Sequence, residues 1–251
     1  MTGLRTHRSL RLALVAVAVA IAASVLIQLA QDGWVLLPSI SDYFYSPARG
    51  VFVGGLTAAS VALLALSGRD TESIMLDVAA VFAPLIAIIP TGYRGQPFVP
   101  ADVLPTVRNG VGVYLVMVAA LLVLAVILAT RGEVAWRRVA IVGGIAGAVS
   151  MALAVLAFAP GVSESFPFAG RVNLHLVATV CFFAVFAAIP LITAFGSAER
   201  TERRYRLIYL TVALLIAVAL VLTVVAAIVR PEDGGVLIGE TVALTAFAVF
   251  W

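Results

Sequence analysis

Long apolar blocks, separated by short polar or proline-rich connections, occupy most of the chain. Eight can be read, at roughly Leu10–Ala30, Gly50–Ser67, Ile74–Pro90, Gly110–Thr130, Val139–Ala159, Arg171–Phe195, Leu207–Val229 and Val236–Trp251. Within a block the apolar residues neither alternate with period two nor keep to one helical face. A helix that is apolar all round is one surrounded by hydrocarbon or by other helices. A bilayer core about 30 Å thick needs about 20 helical residues, with about 17 near the lower limit, so only the last block is short. The pattern predicts an all-α, polytopic transmembrane helix bundle of about eight spans. It forms a single integral membrane domain over 1–251, with 1–9 as a cytoplasmic N-terminal tail.

Composition removes the soluble alternatives. Of 251 residues, 63% are hydrophobic and 12% charged, against roughly 25% charged in a soluble domain. With a mean hydropathy of +1.14, this excludes a water-soluble enzyme, a disordered chain and a nucleic-acid binder, despite a pI near 9.4. All sixteen basic residues are arginines. A retinal or pyridoxal Schiff base needs a lysine amine, so rhodopsin-like photochemistry is excluded as well. Cys181, the sole cysteine, lies inside an apolar block and reads as a small buried hydrophobe, which leaves no disulfide framework.

The arginines set an orientation. With the N-terminus in the cytoplasm and the blocks alternating, eleven arginines fall inside and five (Arg49, Arg94, Arg108, Arg171 and Arg230) outside. The excess of basic residues on cytoplasmic loops then places both termini in the cytoplasm of a bacterial plasma membrane, beside anionic inner-leaflet lipid. Arg5, Arg8 and Arg11 before the first block also fit a signal peptide, but the run is long and Ile27–Ala30 make a poor cleavage site, so a retained anchor is expected. The last block ends on Trp251 without a basic stop, which reads as a chain continuing beyond it. Gly50, Gly54 and Ala58, and Gly143 with Gly147, mark close helix packing; the seventh block, free of ionisable groups, is expected to face lipid most.

Ionisable groups inside spans are costly and are functional candidates by default. Asp77 lies near the inner side, with an inner arginine such as Arg69 as its expected partner. His175 and Glu240 lie four residues into the sixth and eighth blocks, at a matching depth of about 6 Å below the outer interface. Gln28, the turn Ser39–Tyr43 and Thr91 belong to the same layer. Two readings of this layer stay open: a pocket for a lipid headgroup or small solute, or polar groups that bond one another as glue between helices. No metal site is expected, because the only histidines, His7 and His175, fall on opposite sides. No cofactor and no catalytic residue is assigned.

The run from Ser39 to Gly54 resembles a Ser-Ile-Ser-x-Tyr-Tyr-Tyr-x-Pro-x-Arg-x-x-Phe-Val-Gly pattern. That pattern belongs to a family of uncharacterised bacterial multi-pass membrane proteins, distantly similar to the Frag1/DRAM/Sfk-type proteins of eukaryotes. His175 followed by Phe182 and Phe183, and Glu240 followed by Phe247 and Trp251, resemble it too. Beside that family the fourth and fifth blocks look like an extra pair, and Ser46 stands in place of a threonine. The resemblance marks Ser39, Ser41, Asp42, Tyr43, Arg49, His175 and Glu240 as ligand-binding candidates without giving them roles.

The expected function is therefore non-enzymatic: lipid binding, or service as an integral partner of a membrane complex or homo-oligomer. The alternatives are a small-solute or proton-coupled transporter using His175, Glu240 and Asp77, and an intramembrane lipid-modifying enzyme.

Overall fold

The computed structural model describes residues 2–68, 71–169, 172–196, 203–230 and 233–251. Each apolar block becomes one helix: α1 (Thr2–Gln31), α2 (Arg49–Leu66), α3 (Thr71–Ile88), α4 (Leu104–Thr130), α5 (Trp136–Phe158), α6 (Leu174–Gly196), α7 (Arg203–Val229) and α8 (Gly235–Phe250). The only sheet among the described residues is a two-residue hairpin, β1 (Phe168–Ala169) with β2 (Val172–Asn173). The protein is thus an all-α helical bundle. Among the described residues, six helices (α1, α2, α4, α5, α6 and α7) are long and apolar enough to cross a membrane, and α8 is a shorter apolar helix. The expected N-terminal tail is continuous with α1.

Six helices form a closed circuit in which α1 packs on α2, α2 on α3, α3 on α6, α6 on α7, α7 on α8 and α8 back on α1. The α1–α8 seam is the loosest of these contacts. The α4–α5 hairpin, the pair that looked additional in the sequence, docks on the flank of α3 and leaves a cleft of about 490 Å³ against α2 and α3. Gly132, with φ +73°, turns the chain between α4 and α5 through a conformation that glycine adopts without a steric penalty. Outward exposure is greatest on this hairpin and not, as expected, on α7. Only 11% of the most apolar stretch of α5 is buried, against 28% for α7, because α7 sits in the circuit between two neighbours.

Helix α3 is the buried centre, with Ala79, Ala83 and Ala87 fully covered. Pro84 interrupts it and, lacking an N–H, leaves the Ala80 carbonyl without its helical donor. The Ser60 hydroxyl of α2 fills that place at 2.8 Å, and the Tyr114 hydroxyl of α4 bonds the neighbouring Val81 carbonyl at 3.1 Å. Polar side chains from neighbouring helices thus repair the proline break.

The small-residue stripes behave differently from expectation. A Cβ on Gly50, Gly54 or Gly147 would meet nothing within 4 Å. Close approaches occur at Gly55 against Ile21 of α1, at Gly143 against Leu122 of α4, and at Gly239, where α8 meets Thr223 and Ala219 of α7. Spacing shows where a small-residue face runs along a helix but not which neighbour meets it.

Candidate functional site

At one end of the bundle the connections between helices fold over the circuit. The α1–α2 link forms a 3-10 turn, Ser41–Tyr45, opened by a reciprocal cap. The Ser39 hydroxyl accepts from the Asp42 N–H and donates to Asp42 Oδ2, both at 2.9 Å, the arrangement a Ser-x-x-Asp spacing allows. Asp42 Oδ1 accepts from the Arg94 N–H at 3.0 Å, tying this turn to the one that follows α3. Burial pushes the Asp42 carboxyl up to about 6, against the opposing pull of its bonds from Ser39 and Arg94. Burial likewise raises the Tyr45 phenol above its ordinary range.

The C-terminal end of α3 presents three successive carbonyls that the helix cannot satisfy. Each is taken by a side chain from a different element. His175 Nδ1, from α6, lies 2.7 Å from the Ile89 oxygen; the Asn173 amide of β2 donates to Pro90 at 3.4 Å; the Tyr45 hydroxyl donates to Thr91 at 2.6 Å. Asn173 also accepts from the His175 N–H at 2.7 Å, so it caps the start of α6 as well.

Glu240 of α8 is the second anchor. Its Oε2 accepts from the backbone N–H groups of Ile40, at 2.6 Å, and Ser41, at 3.3 Å, while Oε1 accepts from the Ser41 hydroxyl at 2.7 Å. The same hydroxyl oxygen lies 2.8 Å from His175 Nε2. His175 and Glu240, at matching depth by residue count, thus come together with Ser41 between them.

The proton inventory of this trio is fixed by its neighbours. A carbonyl only accepts, so His175 Nδ1 carries a proton toward Ile89. That leaves two acceptors, Nε2 and Glu240 Oε1, facing one hydroxyl with one proton. Every bond is made when the trio holds one further proton, on the carboxyl group or on Nε2. The order of groups is carboxyl–hydroxyl–imidazole. A hydrolytic triad places the imidazole in the middle, with the carboxylate on Nδ1; here the Ile89 carbonyl holds Nδ1 and the carboxylate bonds the hydroxyl instead.

Other predicted residues fall elsewhere. Tyr43 is buried within the turn, and Arg49 lays its guanidinium over the Phe44 ring, 4.2 Å from the centroid. Gln28 pairs with Asp32 along α1 at 3.0 Å. Asp77 lies toward the opposite end and lines the cleft beside the α4–α5 hairpin. Its partner is Arg138 of α5, with Nε 2.6 Å from Oδ2. Arg69, the partner expected from sequence, lies outside the described residues. Arg138 also donates to the Gly68 carbonyl at 2.6 Å and the Ser67 hydroxyl at 2.5 Å, so one guanidinium holds the α2–α3 connection to α5. Among the described residues no group of three His, Cys, Asp or Glu side chains could hold a metal ion.

Below Ser41 and Glu240 lies a cavity of about 70 Å³ inside the circuit, walled by Phe52, Leu56, Phe182, Phe183, Leu244 and Phe247. One polar atom in its wall was not anticipated. Thr179, one turn along α6 from His175, is 4% exposed, and its hydroxyl has no hydrogen-bond partner. The spacing of four from His175 was the available signal, since it puts both on one helical face. No family model, curated protein or solved structure matches the chain.

Proposed function

We propose that this chain is an eight-span protein of the bacterial plasma membrane, with both termini cytoplasmic, that binds membrane lipid at the cavity beneath Ser41 and Glu240. In this reading α3 and α8 join the six longer helices as spans, α3 shielded by its neighbours and α8 short. The uneven division of arginines between the two ends of the bundle supports this orientation. One end gathers Arg11, Arg131, Arg137, Arg138 and Arg206, while the other carries the aromatic and proline-rich turns. Kinship with the Frag1/DRAM/Sfk-like family is part of the proposal. The turn, the histidine and the glutamate that carry the resemblance are the groups that meet in one hydrogen-bonded network.

The observation that carries lipid binding is the pairing of an apolar cavity with a polar roof and an orphaned hydroxyl in its wall. A buried hydroxyl without a partner costs free energy, so a place prepared for an incoming polar group accounts for it. Native mass spectrometry of protein extracted gently from its membrane tests the reading. A retained lipid-sized adduct is expected, and a bare polypeptide from several mild detergents would refute it. Binding to a second membrane protein would appear in the same spectrum as a larger assembly.

The trio, whose bonds are all made when one further proton is bound, favours proton-coupled transport as a second reading. Asp77 has no direct part in that reading, because it lines a different cavity and is committed to Arg138.

A further inference from the structure

Between α1 and α8, where the circuit is loosest, a groove of about 310 Å³ runs along the outside of the bundle. Its rim residues Val19 and Leu26 are 59% and 58% exposed, and Thr241 and Thr245, one turn apart on α8, face it. Three residues, Ala18, Ile40 and Leu244, line both this groove and the cavity inside the circuit. The two spaces are therefore neighbours across a partition one side chain thick. Ile40 is the residue whose N–H is held by Glu240, so the partition ends directly at the polar roof.

We infer that the α1–α8 seam is a lateral entrance from the bilayer, through which a single-chain amphiphile with a hydrogen-bond-donating, uncharged head, such as a long-chain alcohol or monoacylglycerol, lodges its head under Glu240 and leaves its tail in the groove. This rests on the lipid-binding reading above and adds the route and the chemical class. The volumes divide the ligand. The inner cavity is too small for a chain and large enough for a head, while the open groove accommodates one chain alongside bilayer lipid.

The chemistry of the roof selects the head. A carboxylate has about four acceptor positions, and three at Glu240 are taken by Ile40 and Ser41. The remaining position and the Thr179 hydroxyl suit a group that both donates and accepts, which is what a hydroxyl does. No arginine or histidine lines either space, whereas Glu240 does, so a phosphate or carboxylate head meets acceptors without a compensating cation.

The test uses the full chain in phosphatidylcholine nanodiscs, with 1-monooleoylglycerol as probe and oleate and phosphatidylglycerol as anionic competitors, read by native mass spectrometry. Wild type should retain monooleoylglycerol in preference to both anionic lipids. Thr179→Val, which keeps the shape and removes the orphaned hydroxyl, should weaken retention about tenfold, the worth of one hydrogen bond, without lowering the melting temperature. Leu244→Trp, which fills the partition, should abolish retention. Thr179→Val stands alone as a test if the larger substitution misfolds. Retention unchanged in Thr179→Val, or equal retention of the anionic lipids, overturns the inference while the broader reading survives. Absence of any retained lipid overturns both, and leaves the cavity to water.

Discussion

His175 and Glu240 are joined through a third residue: the Ser41 hydroxyl lies 2.8 Å from the imidazole Nε2 and 2.7 Å from the carboxylate Oε1. Coupling between the two ionisable groups therefore passes through one rotatable O–H bond. In a double-mutant cycle of His175→Ala and Glu240→Gln, the combined loss should be smaller than the sum by about 0.5–3 kcal/mol. Repeating the cycle in a Ser41→Ala background should bring the coupling close to zero. Unfolding in nanodiscs gives both values, and coupling that persists without Ser41 would mean direct contact.

Asp42 gives a pH dependence with a definite sign. Its carboxyl titrates near 6 when folded, above its ordinary value of 3.8, so the folded state binds more protons between those limits. Its contribution to stability is present in full below about pH 4 and is lost as pH rises through 6, on the order of 3 kcal/mol at most. Asp42→Asn, which imitates the protonated form, should flatten that limb of the stability profile. A limb that persists in the variant assigns the effect to another group.

The Asp77–Arg138 pair should respond unequally to loss of its two members. Asp77 has a side chain 6% exposed, and Arg138 is 24% exposed with two further acceptors. Arg138→Ala strands a buried carboxylate and frees the α2–α3 connection, and should cost roughly 3 kcal/mol or more. Asp77→Asn leaves a guanidinium that still has solvent and two oxygens, and should cost about 1 kcal/mol. Thermal melts of the two variants decide it; equal losses would mean that Arg138 acts through Asp77 alone.

The glycines supply an internal comparison. Gly239→Ala drives a methyl group into Thr223 and the Ala219 carbonyl and should destabilise by about 1–3 kcal/mol. Gly54→Ala meets open space and should be neutral or mildly stabilising. Equivalent melting temperatures for the two would place the α7–α8 contact elsewhere.

Topology has a direct assay. In a Cys181→Ala background, cysteines at Ala101 and Glu164 should react with an impermeant thiol reagent on intact cells, and cysteines at Glu133 and Arg137 should react only after lysis. External labelling at Glu133 would reverse the whole assignment.

The helices were legible because their signal is local: blocks of apolar residues with caps and breaks between them, such as Pro90 after α3 and Gly132 after α4. The matching depth of His175 and Glu240 was legible for the same reason, as it needs only residue counts from block edges. What escaped was partner choice. Ile89 gives no sign in sequence that its carbonyl accepts from an imidazole 86 positions away, since every helix end offers such groups. Arg138 was one of several inner arginines within nominal reach of Asp77, and only the docking of α5 on α3 singles it out. The glycine faces were legible only in part: Gly143 does meet a neighbour, but Gly55 and Gly239 are distinguished by what lies opposite and not by their own spacing.

The closed circuit also imposes an order of assembly. Chains enter the membrane from the N-terminus onward, so α3 must wait for an entire hairpin to be synthesised before α6 arrives, and α1 waits for α8. The bond from Ile40 to Glu240 joins residues 200 positions apart and forms only when α8 is inserted. Until then the Ile40 and Ser41 amides lack their carboxylate, and His175 has the Ser41 hydroxyl to itself. A ribosome that stops short of α8 leaves these donors unclaimed at the membrane surface.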